Sequence, residues 1–190
     1  MVETALQRIP PLGADPLVAV RGGPTVTTVP PLSRFVFRGS AEAAAACGTV
    51  FGVYVLHDVC RTATTGNRAT LWLGPDEWLL LAPAGEGEEI KQGIASALAT
   101  IPHSLVDVSH RQTALEISGN RAAQLINAAC PLNLDDEAFP VGMCTRTIFA
   151  KAEVVLWRKE AKTFHMEVWR SFAPYVSGLL QEAAFGLTAV

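Results

Sequence analysis

No run of lysine or arginine and no basic stripe occurs anywhere in this chain, whose net charge is −3 and whose pI is about 5.8. Binding to a phosphate backbone needs such a footprint, so nucleic acid is not an expected partner. No apolar stretch reaches the roughly 18 residues that a membrane span requires. The most apolar window, 43–56, is shorter and is interrupted by Gly48 and Gly52. The opening Met1-Val2-Glu3-Thr4 has no basic region followed by an apolar core, so no secretory signal is expected and a cytoplasmic protein is. Charged residues are scarce, at 17%.

The motifs of common chemistry are missing as well. Cys47, Cys60, Cys130 and Cys144 form no CxxC pair and no common zinc spacing, which predicts free thiols in a reducing compartment. His57, His103, His110 and His165 are scattered, with no HxH or HxxxH pair. Neither GxGxxG nor GxxxxGK[ST] occurs, so the usual backbone cradle for nucleotide phosphates is lacking.

What the chain does have is apolar substance: 49% of its residues, with a mean hydropathy of +0.27. That is enough for a large core, a partner-facing surface, or both. Its 190 residues fit one large domain or two fused halves. The text supports two halves. Arg34-Phe35-Val36-Phe37-Arg38-Gly39-Ser40 runs into an alanine-rich stretch ending at Gly48. Ala114-Leu115-Glu116-Ile117-Ser118-Gly119-Asn120 likewise runs into 122–129. Each reads as a strand, a Gly-polar corner and a helix.

The first half reads as strand 33–38, helix 40–47 with Ser40 as N-cap, an apolar run 51–56, and a polar loop 61–68. Strands 70–73 and 77–82 follow, joined by Gly74-Pro75-Asp76, then an amphipathic helix 86–99 and strand 104–108. The second reads as strand 112–118, helix 120–129, strands 143–149, 152–157 and 163–169, and helix 172–184. The expected class is α+β, with two tandem ferredoxin-like βαββα-type repeats whose antiparallel sheets carry helices on one face. The boundaries are a Pro-rich extended arm over 1–32, a first half over 33–110 and a second over 111–190. Proline density argues against regular structure in the arm, and its apolar patch 17–20 suits anchoring on the body or on a partner.

Candidate chemistry is thin. Asp107, Ser109 and His110 contain the residue types of a triad, but on a strand Asp107 and Ser109 share a face and His110 points away. A polar corner that closes the chain reversal is the better reading. Asp135, Asp136 and Glu137 are adjacent in a loop, where paired acid–base work has no separated environments. The strands carry Trp72, Trp78, Trp157 and Trp169. Trp157-Arg158 and Trp169-Arg170 each offer one buried ring and one outward guanidinium on a strand, and Arg146 is a further outward candidate. Trp78, Arg111, Arg146, Arg158, Trp169 and Arg170 are therefore the expected partner contacts, with no catalytic, cofactor-binding or metal-ligating residue.

Four blocks carry a resemblance. They are 73–80 (Leu-Gly-Pro-Asp-Glu-Trp-Leu-Leu), 107–115 (Asp-Val-Ser-His-Arg-Gln-Thr-Ala-Leu), 139–147 with its Cys144-Thr145-Arg146-Thr147, and 167–172 (Glu-Val-Trp-Arg-Ser-Phe). In this order, over about 33–185, they resemble the gamma subunit family of heterotetrameric sarcosine oxidase. That family is similar in turn to the aminomethyltransferase (T-protein) fold. The transferases carry an aspartate in a glycine-rich strand that serves folate; the stretch 150–155 here has neither the glycines nor the aspartate, and Glu153 is the nearest carboxylate.

The resemblance implies a structural, non-catalytic chain in a complex with alpha, beta and delta subunits. Such a complex demethylates sarcosine to glycine, giving hydrogen peroxide and methylene-tetrahydrofolate. FAD, FMN, NAD, tetrahydrofolate and zinc would sit on the other subunits and none on this chain. The rival is a free-standing folate-binding or one-carbon transfer protein of the same fold, and a scaffold for another flavoenzyme amine oxidase differs from the first reading only in its partner.

Overall fold

The computed structural model describes residues 11–12 and 16–188. They form two antiparallel sheets and four helices. The five-stranded sheet has the order β4-β5-β6-β3-β7, where β3 is Leu32–Gly39, β4 Thr62–Thr65, β5 Arg68–Gly74, β6 Glu77–Pro83 and β7 His103–Asp107. Helices α1 (Ala41–Phe51) and α2 (Gly87–Ala97) connect strands that are not neighbours.

Helix α1 begins where Ser40 Oγ accepts the Ala43 N–H at 3.2 Å. It does not stop at Cys47. Gly48 is an internal position where a Cβ would come within 3.0 Å of the Val53 carbonyl. The helix ends one turn later at Gly52, whose φ of 75° provides the left-handed cap and whose N–H reaches Gly48 O. Strand β4 lies inside what the sequence reads as a polar loop. It is an edge strand of threonine and alanine with no buried residue, so it carries no apolar alternation.

The six-stranded sheet has the order β1-β2-β8-β11-β10-β9. Here β8 is Gln112–Gly119, β9 Cys144–Phe149, β10 Ala152–Glu160 and β11 Thr163–Trp169, with α3 (Ala122–Asn127) and α4 (Ala173–Thr188). Its first two strands, β1 (Val18–Ala19) and β2 (Pro24–Thr28), come from the stretch expected to be an irregular arm. Proline does not prevent this, because Pro24 takes the first place in β2 and Val26 is fully buried. Leu17, Val18 and Val20 pack on the chain's own core. The rest of the arm, 1–10 and 13–15, lies outside the described residues. Gly119 is required where this hairpin crosses β8: its φ is 97°, and a Cβ there would stand 2.6 Å from the Gly23 carbonyl.

Strand alternation makes two faces on each sheet. Phe35, Phe37, Trp78 and Leu80 turn toward α1 and α2 and form one core cluster. Leu115, Ile117, Leu156, Phe164 and Met166 turn toward α3 and α4 and form another. The opposite faces meet in a third cluster, with Leu71, Leu79 and Leu81 from the first sheet against Cys144, Val155 and Trp157 from the second. The layers are thus helices, sheet, sheet, helices. The Arg61–Met143 bridge adds a backbone link between the halves.

Candidate interaction surface

The interface between sheets contains a buried charged group that the apolar text of both strands conceals. Arg34 on β3 donates from Nε to Glu167 Oε2 on β11 at 2.7 Å, and His165 Nε2 lies 2.8 Å from the other oxygen, Oε1. All three side chains are buried. Burial alone would raise the Glu167 carboxyl, but the Arg34 guanidinium, together with His165, outweighs it and holds the group below the usual carboxylate range. The signal was a charge at an alternating position within each apolar run: Ser33-Arg34-Phe35 and Met166-Glu167-Val168.

The corner beside it follows the end of β7 and is hydrogen-bonded within the chain. The Arg34 N–H donates to Ser109 Oγ at 2.8 Å, and the Ser109 N–H donates to Asp107 Oδ1 at 2.9 Å. Burial pushes the Asp107 carboxyl up, but the hydrogen bonds from Ser109, with Lys91 and His110, bring it to a net value below its usual one. Ser109 is tied to backbone on both sides of its hydroxyl. Asp135 shapes its turn through Asn133 and the N–H groups of Ala138 and Phe139.

Two of the six expected contact residues turn inward instead of outward. Trp78 is fully buried, and its indole N–H donates to the Leu56 carbonyl at 2.6 Å. Arg158 is also buried. Its guanidinium donates to the carbonyls of Leu134, Phe139 and Ala161, pairs with Asp136, and stands 5.0 Å from the Phe164 ring centroid. Strand alternation puts Arg158 on the helix-facing side with Leu156 and opposite Phe164, where the 134–139 loop closes over it and supplies the acceptors. Arg146 is exposed and pairs with Glu77 at 2.6 Å and Glu153 at 3.8 Å, clamping β9 to the β5–β6 hairpin.

Arg111, Trp169 and Arg170 do come together. Trp169 ends β11 opposite Gln112, and the Arg111 guanidinium lies 5.0 Å over its ring. The Arg170 N–H donates to the Arg111 carbonyl at 2.9 Å, fixing the two chain reversals together. Phe172, in the turn just before α4, and Tyr175, in its first turn, add two rings that meet edge-on at 6.5 Å. Trp169, Phe172 and Tyr175 are 39%, 41% and 40% exposed. The buried stripe of α4, Ala173, Val176 and Leu180, consumes the other face of the helix and leaves these rings outward. Phe172 and Tyr175 escaped the sequence reading because α4 was judged by its apolar stripe alone.

Among the described residues no helix is long and apolar enough to cross a membrane, and no three His, Cys, Asp or Glu side chains converge as a metal site. The four cysteines are free.

Two face-packed sheets with outer helices define a four-layer α/β fold. The aminomethyltransferase T of the glycine cleavage system from Bartonella henselae shares that fold at a TM-score of 0.65 and 11% identity, over 84% of this chain and 46% of that one. The particular family is narrower: the profile of the sarcosine oxidase, gamma subunit family matches residues 38–186, and the chain belongs to that family. It is 35% identical to the sarcosine oxidase subunit gamma of Corynebacterium sp. (strain P-1) over 60% of this chain and 56% of that one. For the same subunit from Arthrobacter sp. the figures are 35%, 67% and 61%. The matches thus span little more than half the length of these relatives. A chain of the heterotetrameric sarcosine oxidase from Corynebacterium sp. U-96, solved with pyrrole 2-carboxylate, superposes at a TM-score of 0.83 with 27% identity, over 91% of this chain and 89% of that one.

Proposed function

We propose that this chain is a non-catalytic structural subunit of a heterotetrameric sarcosine oxidase, acting beside alpha, beta and delta subunits in the cytoplasm. The observation that carries the reading is the superposition on a chain of the Corynebacterium complex along nearly the whole of both chains. In this reading the complex oxidatively demethylates sarcosine to glycine. FAD, FMN, NAD, tetrahydrofolate and zinc are held by the other subunits.

The side chains support a scaffold role. The polar groups with the most structure around them, Arg34, Glu167, Ser109 and Arg158, are engaged by the chain's own backbone and core. The residues present do not fit folate: the 150–155 stretch offers only Glu153, which is exposed and paired with Arg146. The strand orders also support reading the halves as two ferredoxin-like repeats. β3 sits between β6 and β7, as β8 sits between β11 and β2. In the second repeat the last place is filled by a strand from the N-terminal stretch.

The docking face in this reading is the corner of Arg111, Trp169, Arg170, Phe172 and Tyr175. Exposed aromatic rings beside arginine are the composition of interface hot spots. The test is co-expression of the chain with candidate alpha, beta and delta subunits, followed by measurement of mass, flavin absorbance and sarcosine-dependent peroxide. A colourless, inactive lone chain that co-purifies in an active yellow complex is the expected result. Stoichiometric binding of reduced folate or flavin by the lone chain would refute the scaffold reading.

A further inference from the structure

Two of the four free cysteines meet across the seam between the halves. The backbone ladder around the Arg61–Met143 bridge sets Cys60 opposite Cys144. The Cys144 N–H donates to the Cys60 carbonyl at 2.9 Å, and the Thr62 N–H donates to the Gly142 carbonyl at 3.0 Å. Residues that face each other across such a bond have Cα atoms about 5.5 Å apart. That is inside the roughly 4.4–6.8 Å that a disulfide spans. The Cys144 thiol leans toward the first half, with Sγ 3.5 Å from the Arg61 carbonyl and 3.4 Å from the Trp72 carbonyl. Burial pushes this thiol up to about 12, and Cys60 adds to the rise, so the two sulfurs are close enough to feel each other's charge. Cys47 and Cys130 lie apart, each in one of the two helix-side core clusters. Cys60 also has an unusual backbone. Its φ is 58°, at the third position of the turn that the Arg61 N–H closes on the Asp58 carbonyl at 3.2 Å. Glycine fills such a place without strain, and a cysteine does not. Cys60 is partly exposed while Cys144 is buried, so only one of the two sulfurs is open to a dissolved reagent.

We propose that Cys60 and Cys144 form a reversible disulfide that pins the 52–61 loop to β9 across the seam between the two sheets. The oxidant is hydrogen peroxide. The Cys60 sulfur attacks one peroxide oxygen, the O–O bond breaks, and a sulfenic acid and one water form. The Cys144 sulfur then attacks the Cys60 sulfur. The S–O bond breaks, and its oxygen leaves with the Cys144 proton as a second water. The two thiols together give up two electrons, which reduce the peroxide. Condensation is the slow step, because the buried Cys144 stays protonated, and it quickens as the pH rises. A thiol reductant reverses the bond by exchange. Cys144 belongs to the cluster in which the two sheets meet, so the bond adds a covalent tie beside Leu71, Leu79 and Val155. The inference stands whether or not the chain assembles with other subunits.

The experiment treats the full chain with hydrogen peroxide, then measures intact mass, the thiol count in denaturant and a digest run without reductant. The expected product is lighter by about 2 Da, the mass of the two hydrogens lost. Its titratable thiols fall from the four of the parent chain to those of Cys47 and Cys130 alone. The digest should join the peptides that contain Cys60 and Cys144. Linkage should be faster at about pH 9 than at about pH 7. Cys60→Ser should block it, and Cys47→Ser should leave it intact. The thermal midpoint of the linked chain should rise by about 5–10 °C and return when dithiothreitol is added. Oxidation of Cys60 to a sulfinic acid without linkage would show that Cys144 is out of reach and overturn the proposal. So would linkage between chains, or no change in mass. A linked chain that melts lower would show that the bond forms only by distorting the seam, and would overturn it too. Mass and digest are read on the parent chain, so the test stands even if a variant fails to fold.

Discussion

Replacing Glu167 with glutamine is expected to cost more stability than any exposed substitution in the chain. The carboxylate is fully buried and receives Arg34 Nε at 2.7 Å and His165 Nε2 at 2.8 Å. Glutamine keeps the shape but removes the charge, leaving a guanidinium in a nearly dry interface without its counter-ion. Breaking a buried pair from one side costs about 3–5 kcal/mol, a large part of the roughly 5–15 kcal/mol a domain possesses. Removing both partners is a different perturbation. The double variant Arg34→Met with Glu167→Leu leaves no orphaned charge and is expected to lie within about 2 kcal/mol of the parent. Urea denaturation across this cycle, read by tryptophan fluorescence, measures the coupling. The pH dependence gives a second readout. The folded-state value of Glu167 lies below its ordinary 4.5, so the pair's contribution is fully present above about pH 4.5 and is lost as the pH falls through the lower, folded value. The Glu167→Gln variant should lack that acid limb. A cost under about 1 kcal/mol for Glu167→Gln, or a double variant as unstable as the sum of its singles, would show that the triad is solvated and not a strut between the sheets.

Arg158→Met should destabilise the chain by about 2–4 kcal/mol, because three carbonyls lose a charged donor at once; Asp136→Ala, at a carboxylate 84% exposed, should cost under about 1 kcal/mol in the same denaturation assay. In the assembled complex, Trp169→Ala and Phe172→Ala should each weaken subunit association by about 2 kcal/mol or more, read as a raised Kd by analytical ultracentrifugation. The fold should be retained by circular dichroism, and unchanged association would move the docking face elsewhere. A fragment of 111–190 should fail to fold alone and should gain structure when the 16–31 segment is added as a peptide, because β8 would otherwise lack β2; a fragment with native dichroism on its own would contradict this.

Sequence reading worked where one local signal dominated. The Ser40 cap, the Gly74-Pro75-Asp76 turn and the apolar, β-forming runs of β3, β6, β8, β10 and β11 each placed an element within a few residues. It failed where tertiary context overrode the local cue. Gly48 resembles a helix end but is a close-packing position, and the stop one turn later depends on the left-handed Gly52. The N-terminal prolines suggested an irregular arm, yet a proline at a strand's first position costs no ladder bond, and the hydrophobic demand of Val26 decides the outcome. At the surface the limit was different in kind. A tryptophan's exposure depends on what covers its strand position. Trp78 and Trp169 therefore look alike in the text, one wholly buried and the other open beside Arg111.

The position of β2 has a consequence for the molecule as a whole. The chain enters the six-stranded sheet first, crosses at Pro30-Pro31 to build the five-stranded sheet, then returns through the 107–112 corner to finish the one it began. The six-stranded half is therefore closed only after the five-stranded half has been threaded between its strands. At both crossings the two sheets also share side chains: Arg34 follows the first and meets Glu167, while Ser109 sits at the second and binds the backbone of Arg34. Neither sheet can rotate on the other without breaking the Arg34–Glu167 pair or the Arg61–Met143 bridge. The exposed aromatic corner grows from the second of these crossings. The crossing that ties the two sheets together thus also carries the corner proposed as the docking face.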